Sequence, residues 1–148
     1  MTVAEFMNPN VVTVSVDTAL PKIWELITAK HIHGLPVVDK DKKLAGFVSK
    51  EDMLTKLFPE TEDPEEISSD TDADIEERLE KLEKMTVNKV MNSQAVFTRA
   101  DANVMRALSR MIIRKVRQLP VVDDDGRIIG MISKGDIFKG LFREITPH

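Results

Sequence analysis

The sequence predicts an α/β protein (α+β in some schemes) made of two β-α-β-β-α repeats packed as a pseudo-two-fold pair. Three observations predict it. First, the chain repeats itself at a fixed offset of 84 residues. Thr2-Val3-Ala4-Glu5-Phe6-Met7-Asn8 returns as Thr86-Val87-Asn88-Lys89-Val90-Met91-Asn92, and Leu35-Pro36-Val37-Val38-Asp39 returns as Leu119-Pro120-Val121-Val122-Asp123. Gly46-Phe47-Val48-Ser49-Lys50-Glu51-Asp52 returns as Gly130-Met131-Ile132-Ser133-Lys134-Gly135-Asp136, so no gap interrupts the match. A fixed period marks a repeated supersecondary unit. Second, apolar spacing within each copy alternates between strand and helix periods. Third, one copy has too little sheet to hide its own apolar faces, so two copies must share a domain.

The elements follow in order. Residues 11–14 and 95–98 are short β-prone runs. Asp17 and Asp101 stand as expected helix N-caps. Behind them Leu20, Ile23, Trp24, Ile27 and His31 recur at helical spacing, as do Val104, Ala107, Leu108, Met111 and Ile112. On this pattern Trp24 is a core residue. Residues 36–38 and 120–122 are compact apolar strands. Asp124-Asp125-Gly126-Arg127 is a hairpin turn, and Lys40-Asp41-Lys42-Lys43 occupies the same place in the first copy. Residues 44–48 and 128–132 return as strands, followed by short helices over 51–58 and 135–142.

These elements place repeat one at 1–58, an acidic connector at 59–85, repeat two at 86–142 and a tail at 143–148. Residues 59–86 hold twelve acids against three bases, a local charge of −9 in a chain whose total is −4. The rest is therefore mildly basic, at +5. Residues 60–74 read as a mobile acidic spacer. From 73 to 85 a helical stripe of Ile75, Leu79 and Leu82 appears, supported by Glu77-Lys81 and Glu80-Lys84 at i,i+4. It fits either a spacer helix docked on its own module or a contact surface for a partner.

Composition excludes several classes. There are no cysteines, which removes disulfide, thiol and cysteine-ligated metal chemistry. No apolar run approaches the roughly 20 residues of a membrane span, and no secretory signal is read at the start. A cytoplasmic protein without membrane contact is expected. The acidic balance argues against nucleic acid, which needs a strongly basic face. His31 and His33 gather no further ligands, so no metal site is expected. Asp123-Asp124-Asp125-Gly126 lacks the rest of a calcium loop and reads as a turn.

The residues that can carry chemistry are Ser49 and Asp52, repeated as Ser133 and Asp136. At a strand-to-helix junction the Ser hydroxyl can meet a phosphate or ribose oxygen. The Asp can accept two hydrogen bonds from a vicinal diol, and first-turn N–H groups favour a phosphate. The same pattern also fits a capping box, in which Ser and an acid satisfy the helix start. Both readings stand at this level.

Leu-Pro-Val-Val-Asp, a short turn, then Gly-apolar-apolar-Ser-x-x-Asp resembles the cystathionine-β-synthase (CBS) domain. The upstream Val-x-x-apolar-Met element fits as well. Both repeats match, so the chain resembles a tandem CBS pair, or Bateman module. The resemblance implies adenosyl ligands: AMP, ADP or ATP, less commonly S-adenosylmethionine or NAD. It implies two clefts between the repeats, one using Ser133 and Asp136 with Val12 and Ile32 around the base. The other uses Ser49 and Asp52 with Val96 and Val116. Phe47 and Met131 line base or sugar. It also implies a homodimer formed through the helices.

The repeats differ where a phosphate would sit. Repeat two offers Arg117, Gln118 and Gly135; repeat one offers His33, Gly34 and Glu51. Arg117 is either a phosphate ligand or an ordinary exposed cation. The guanidinium fork suits phosphate, so the Asp136 cleft is expected to bind anions more tightly. No nucleophile-and-base pair or metal-activated water is readable. The expected function is a non-catalytic sensor requiring no cofactor and regulating an unidentified protein. The alternative is a ligand-free module that docks on a partner enzyme or transporter.

Overall fold

The computed structural model describes residues 1–58, 63–65 and 70–145. Residues 59–62 and 66–69 of the acidic connector, and 146–148 of the tail, lie outside these.

Two compact units form. Unit one comprises Met1–Val12, Lys40–Leu44 and Ala95–His148; unit two comprises Thr13–Asp39 and Ala45–Gln94. Each unit therefore takes its opening segment from the other sequence repeat. In unit two, strand β1 (Val14–Ser15) runs parallel to β2 (Gly34–Val38), with Val14 opposite Val37, and β3 (Leu44–Ser49) lies on the other side of β2. In unit one, β4 (Thr98–Arg99) runs parallel to β5 (Gln118–Val122), which pairs antiparallel with β6 (Ile128–Ser133). Gly126, at φ +85°, closes the β5–β6 turn as its sequence requires. The Asp123 carboxylate there accepts the N–H groups of Asp125 and Arg127, each at 2.9 Å, in support of that turn.

The opening segments dock through short helix α1 (Val3–Phe6) and a 3₁₀ turn at Val87–Lys89. Val3 is fully buried among Val104, Ala107, Met111, Leu119, Val121, Ile132 and Ile137. Val87 is fully buried among Val14, Leu20, Ile23, Ile27, Leu35 and Val48. The backbone bonds repeat with the sequence. Val3 N–H donates to the Ala102 carbonyl at 2.9 Å and Val87 N–H to the Thr18 carbonyl at 2.8 Å.

Helices α2 (Leu20–Lys30), α3 (Lys50–Leu54) and α4 (Asp72–Lys84) belong to unit two; α5 (Val104–Arg114) and α6 (Lys134–Ile145) belong to unit one. Asp17 and Asp101 do not cap α2 and α5. The docked segments bond to the residues just after them and push each helix start downstream, so the caps are Ala19 and Asn103. Asn103 accepts Met105 N–H at 2.8 Å, while Asp17 accepts the Ser15 hydroxyl. His31 and Lys115 end the two helices in the left-handed region, so His31 leaves the apolar stripe. Ile112 and Trp24 also leave the core, at 60% and 46% exposure. Their positions are those at which the stripe turns toward solvent. Trp24 instead lines an apolar cavity of about 330 Å³ with Leu54, Leu57, Leu79 and Leu82.

The connector helix α4 docks on unit two. Leu82 packs on its core. Arg78 donates to the Leu57 carbonyl at 3.1 Å and makes a two-pronged pair with Asp70 at 2.6 and 3.0 Å. The hydrogen bond from Arg78 holds the Asp70 carboxyl below its ordinary range. A carboxylate with a lowered folded-state pKa stabilises above its unfolded value of about 3.9 and loses that contribution as pH falls through the folded value. Amides of α4 are therefore expected to lose hydrogen-exchange protection below about pH 4. Asp70→Asn should remove that part of the acid profile; an unchanged profile would rule the pair out as its cause.

Candidate functional site

Ser49 ends β3 and is the N-cap of α3. Its N–H donates to Asp52 Oδ2 at 2.8 Å, and Asp52 N–H donates back to Ser49 Oγ at 3.1 Å. Ser133 ends β6 and does the same with Asp136, both bonds being 3.0 Å. The capping-box reading of Ser-x-x-Asp is thus met in both copies. It leaves room for the other reading. Among the described residues no group bonds Oδ1 of Asp52 or Asp136, and all four residues are only half-buried. The box spends one oxygen of each carboxylate on fixing its direction. The other oxygen stays available to a donor such as a sugar hydroxyl.

The residue before β2 or β5 is tied to the same helix start. Lys50 N–H donates to the His33 carbonyl at 2.8 Å, and Lys134 N–H to the Arg117 carbonyl at 3.1 Å. Gln118 lies directly opposite Ser133. Unit one therefore gathers Arg117, Gln118, Met131, Ser133 and Asp136 at one end of its sheet. Unit two gathers His33, Phe47, Ser49 and Asp52 in the equivalent place. Arg117 and His33 are exposed. Of the base-lining candidates, Val96 and Val116 pack partly buried on the unit-one core, and Ile32 on the unit-two core. Val12 is half-buried in unit one.

The two copies differ in a coupled way. A Cβ on Gly34 would lie 2.8 Å from Cε1 of Phe47 and 2.6 Å from the Val48 carbonyl oxygen. The Phe47 ring occupies that space. In unit one the same position is Gln118, and its neighbour is the flexible Met131. Repeat one thus pairs a glycine with an aromatic ring at the two positions where repeat two pairs Gln118 with Met131.

Two residues escaped the sequence reading as neighbours of the site. Phe47 exchanges both backbone bonds with Asn92, at 3.0 and 2.8 Å, and Met131 exchanges both with Asn8, at 2.9 and 2.8 Å. Each Asn side chain then accepts the N–H two residues on, from Gln94 or Asn10, at 3.0 Å. The recurring Met-Asn at the end of the opening segment was the signal available. Gly46 and Gly130 make this approach possible. A Cβ on either would lie 2.7 Å from the sulfur of Met91 or Met7.

A strand, a Ser-x-x-Asp helix start and an opening segment laid across that strand, all present twice, define a tandem-repeat α+β architecture. The chain belongs to the CBS domain family, which matches residues 3–59 and 87–143. It is 31% identical over 149 residues to a CBS domain-containing protein of Dictyostelium discoideum, covering 98% of this chain and 94% of that one. An uncharacterised protein of Methanocaldococcus jannaschii is 30% identical over 138 residues, covering 84% and 82%. Among solved structures, CBSX2 of Arabidopsis thaliana in complex with AMP is similar with a TM-score of 0.78 and 28% identity, covering 98% of both chains. No helix among the described residues is long and apolar enough to cross a membrane.

Proposed function

We propose that the chain is a non-catalytic regulatory module that binds an adenosyl nucleotide, AMP, ADP or ATP, through Asp52 and Asp136. One observation carries the reading. Each capping box fixes a carboxylate at a helix start and leaves one oxygen uncommitted, which suits the two hydroxyls of a ribose. The AMP complex of a 28% identical relative supports the ligand class. Val12, Ile32, Val96 and Val116 hold the base in this reading, with Phe47 and Met131 against base or sugar. Ser49, Ser133, His33, Arg117 and Gln118 serve ribose and phosphate. Arg117 makes the Asp136 site the tighter one. A cytoplasmic homodimer is part of the reading. The exposed apolar side chains of α5 (Met105, Ile112) and of α6 (Phe138 and Phe142, whose rings stack at 5.7 Å) support self-association.

The test is thermal unfolding with AMP, ADP, ATP, S-adenosylmethionine and NAD. A ligand at 100 times its Kd adds about 2.7 kcal/mol. Asp136→Asn is the cleaner variant, because its amide oxygen still accepts Ser133 N–H whereas Asp136→Ala also gives up a cap worth about 1 kcal/mol. Asp136→Asn should weaken AMP roughly tenfold, the loss of one charge-assisted hydrogen bond. Asp52→Asn should weaken it less. The reverse ranking would exclude Arg117 as the phosphate ligand that makes the Asp136 site tighter. No shift with any adenosyl compound would favour the docking module.

A further inference from the structure

We propose that unit one carries a second anion site, in an arginine-lined cleft between β4 and α5, that takes a small polyphosphate. The cleft has a volume of about 370 Å³ and is lined by Phe97, Thr98, Arg99, Asp101, Arg106 and Arg110, with two alanines beneath. That volume lies at the small end of ligand pockets, of roughly 300–1,000 Å³.

Three arginines and one carboxylate, Asp101, line the cleft, and one of the three, Arg99, is already paired outside it with Asp124. Arg106 and Arg110 stand one turn apart on the same face of α5. Arg110 Nη1 donates to the Phe97 carbonyl, which pins its fork at the strand. Arg99 Nη1 donates to Asp124 Oδ1 at 2.9 Å and to the Asp123 carbonyl at 3.3 Å. The Arg106 guanidinium has no hydrogen-bond or ion-pair partner among the described residues. Like charges at i,i+4 oppose the helix slightly, so the arrangement is stabilised by an anion between them. Guanidinium forks match phosphate oxygens in pairs.

The fold does not ask for these arginines. At the equivalent positions of repeat one, 84 residues earlier, stand Ser15, Lys22 and Leu26. Leu26 packs partly buried against the unit-two core, and β1 and α2 span the same lengths as β4 and α5. The three arginines are a feature of repeat two alone.

Nor is this the Ser133–Asp136 site. Arg99 lies opposite Val122, which lies opposite Ile128, whereas Ser133 lies at the other end of β6 opposite Gln118. Five residues of strand put the two roughly 17 Å apart along the sheet. They also sit on opposite edges of it, because β5 lies between β4 and β6. The chain's net charge of −4 and the narrow cleft favour a small anion over a nucleic-acid backbone, which needs a broad basic face.

The experiment is calorimetric titration with inorganic pyrophosphate at about 0.15 M salt, where exposed charges are well screened. The chain used carries Asp52→Asn, Asp136→Asn and Arg117→Ala, so heat from the nucleotide sites is reduced. Saturable binding is expected to persist there and to weaken roughly tenfold or more when Arg106→Ala is added. Arg106→Lys should recover part of it. Absence of binding, or equal binding with Arg106→Ala, overturns the site. So does tighter, Arg106-dependent binding of single-stranded DNA or of vesicles of anionic lipid. A chain that ignores every adenosyl compound but passes this test refutes the nucleotide reading and leaves the polyphosphate site in place.

Discussion

Gly46→Val is expected to destabilise the chain by about 1–3 kcal/mol, the range for overpacking a close-fitting site. At this chain length that lowers Tm by roughly 3 °C per kcal/mol. A Cβ at Gly46 lies 2.8 Å from the Asn92 carbonyl oxygen, a backbone atom, as well as 2.7 Å from the Met91 sulfur. A methionine can swing aside. The carbonyl cannot without breaking the paired bonds between Phe47 and Asn92. Gly130→Val should cost less, because Asn8 O is 3.1 Å away and the nearest atom is the flexible Met7 sulfur. Denaturant melts of the two variants measure this difference. Equal losses would mean that the sulfurs, present in both, set the cost.

The pattern Gly-apolar-apolar-Ser-x-x-Asp was legible because every part of it answers to local geometry. Gly admits a crossing segment, the apolar pair alternates across a strand, and Ser with Asp starts a helix. The antiparallel hairpin at Asp123–Gly126 was legible for the same reason. Strand β1 and its partner β4 were harder. The sequence placed them at 11–14 and 95–98, whereas only Val14–Ser15 and Thr98–Arg99 pair. Two residues in a parallel ladder leave almost no periodicity to read. Trp24 misled because a helix stripe tells which residues share a face but not how far the core reaches around it. The free oxygen of each Asp was invisible in principle. Ser-x-x-Asp is one string whether or not the carboxylate has a lone pair to spare.

The exchange of opening segments was hidden most thoroughly. A constant offset says that residues 2–8 and 86–92 are equivalent, and equivalence cannot say which copy each one joins. Val3 and Val87 decide it. Val3→Asp places an unpaired charge among Val104, Met111, Leu119 and Ile132, at a site with no exposure. Such burial ranks with the most damaging substitutions, at about 4 kcal/mol or more. Although Val3 belongs to sequence repeat one, the damage should fall on repeat two. Hydrogen exchange should quicken across 104–111, 119–122 and 132–137, while 20–27 and 35–38 keep their protection. Val87→Asp should do the reverse, opening the helix and strands that carry Asp52 and sparing those that carry Asp136. With AMP as the reporter, Val3→Asp should then weaken the Asp136 site and Val87→Asp the Asp52 site. If each substitution instead loosened its own repeat, the segments would not be exchanged. The strands that end at Ser49 and Ser133 would then owe their positions to contacts other than those of Phe47 with Asn92 and of Met131 with Asn8.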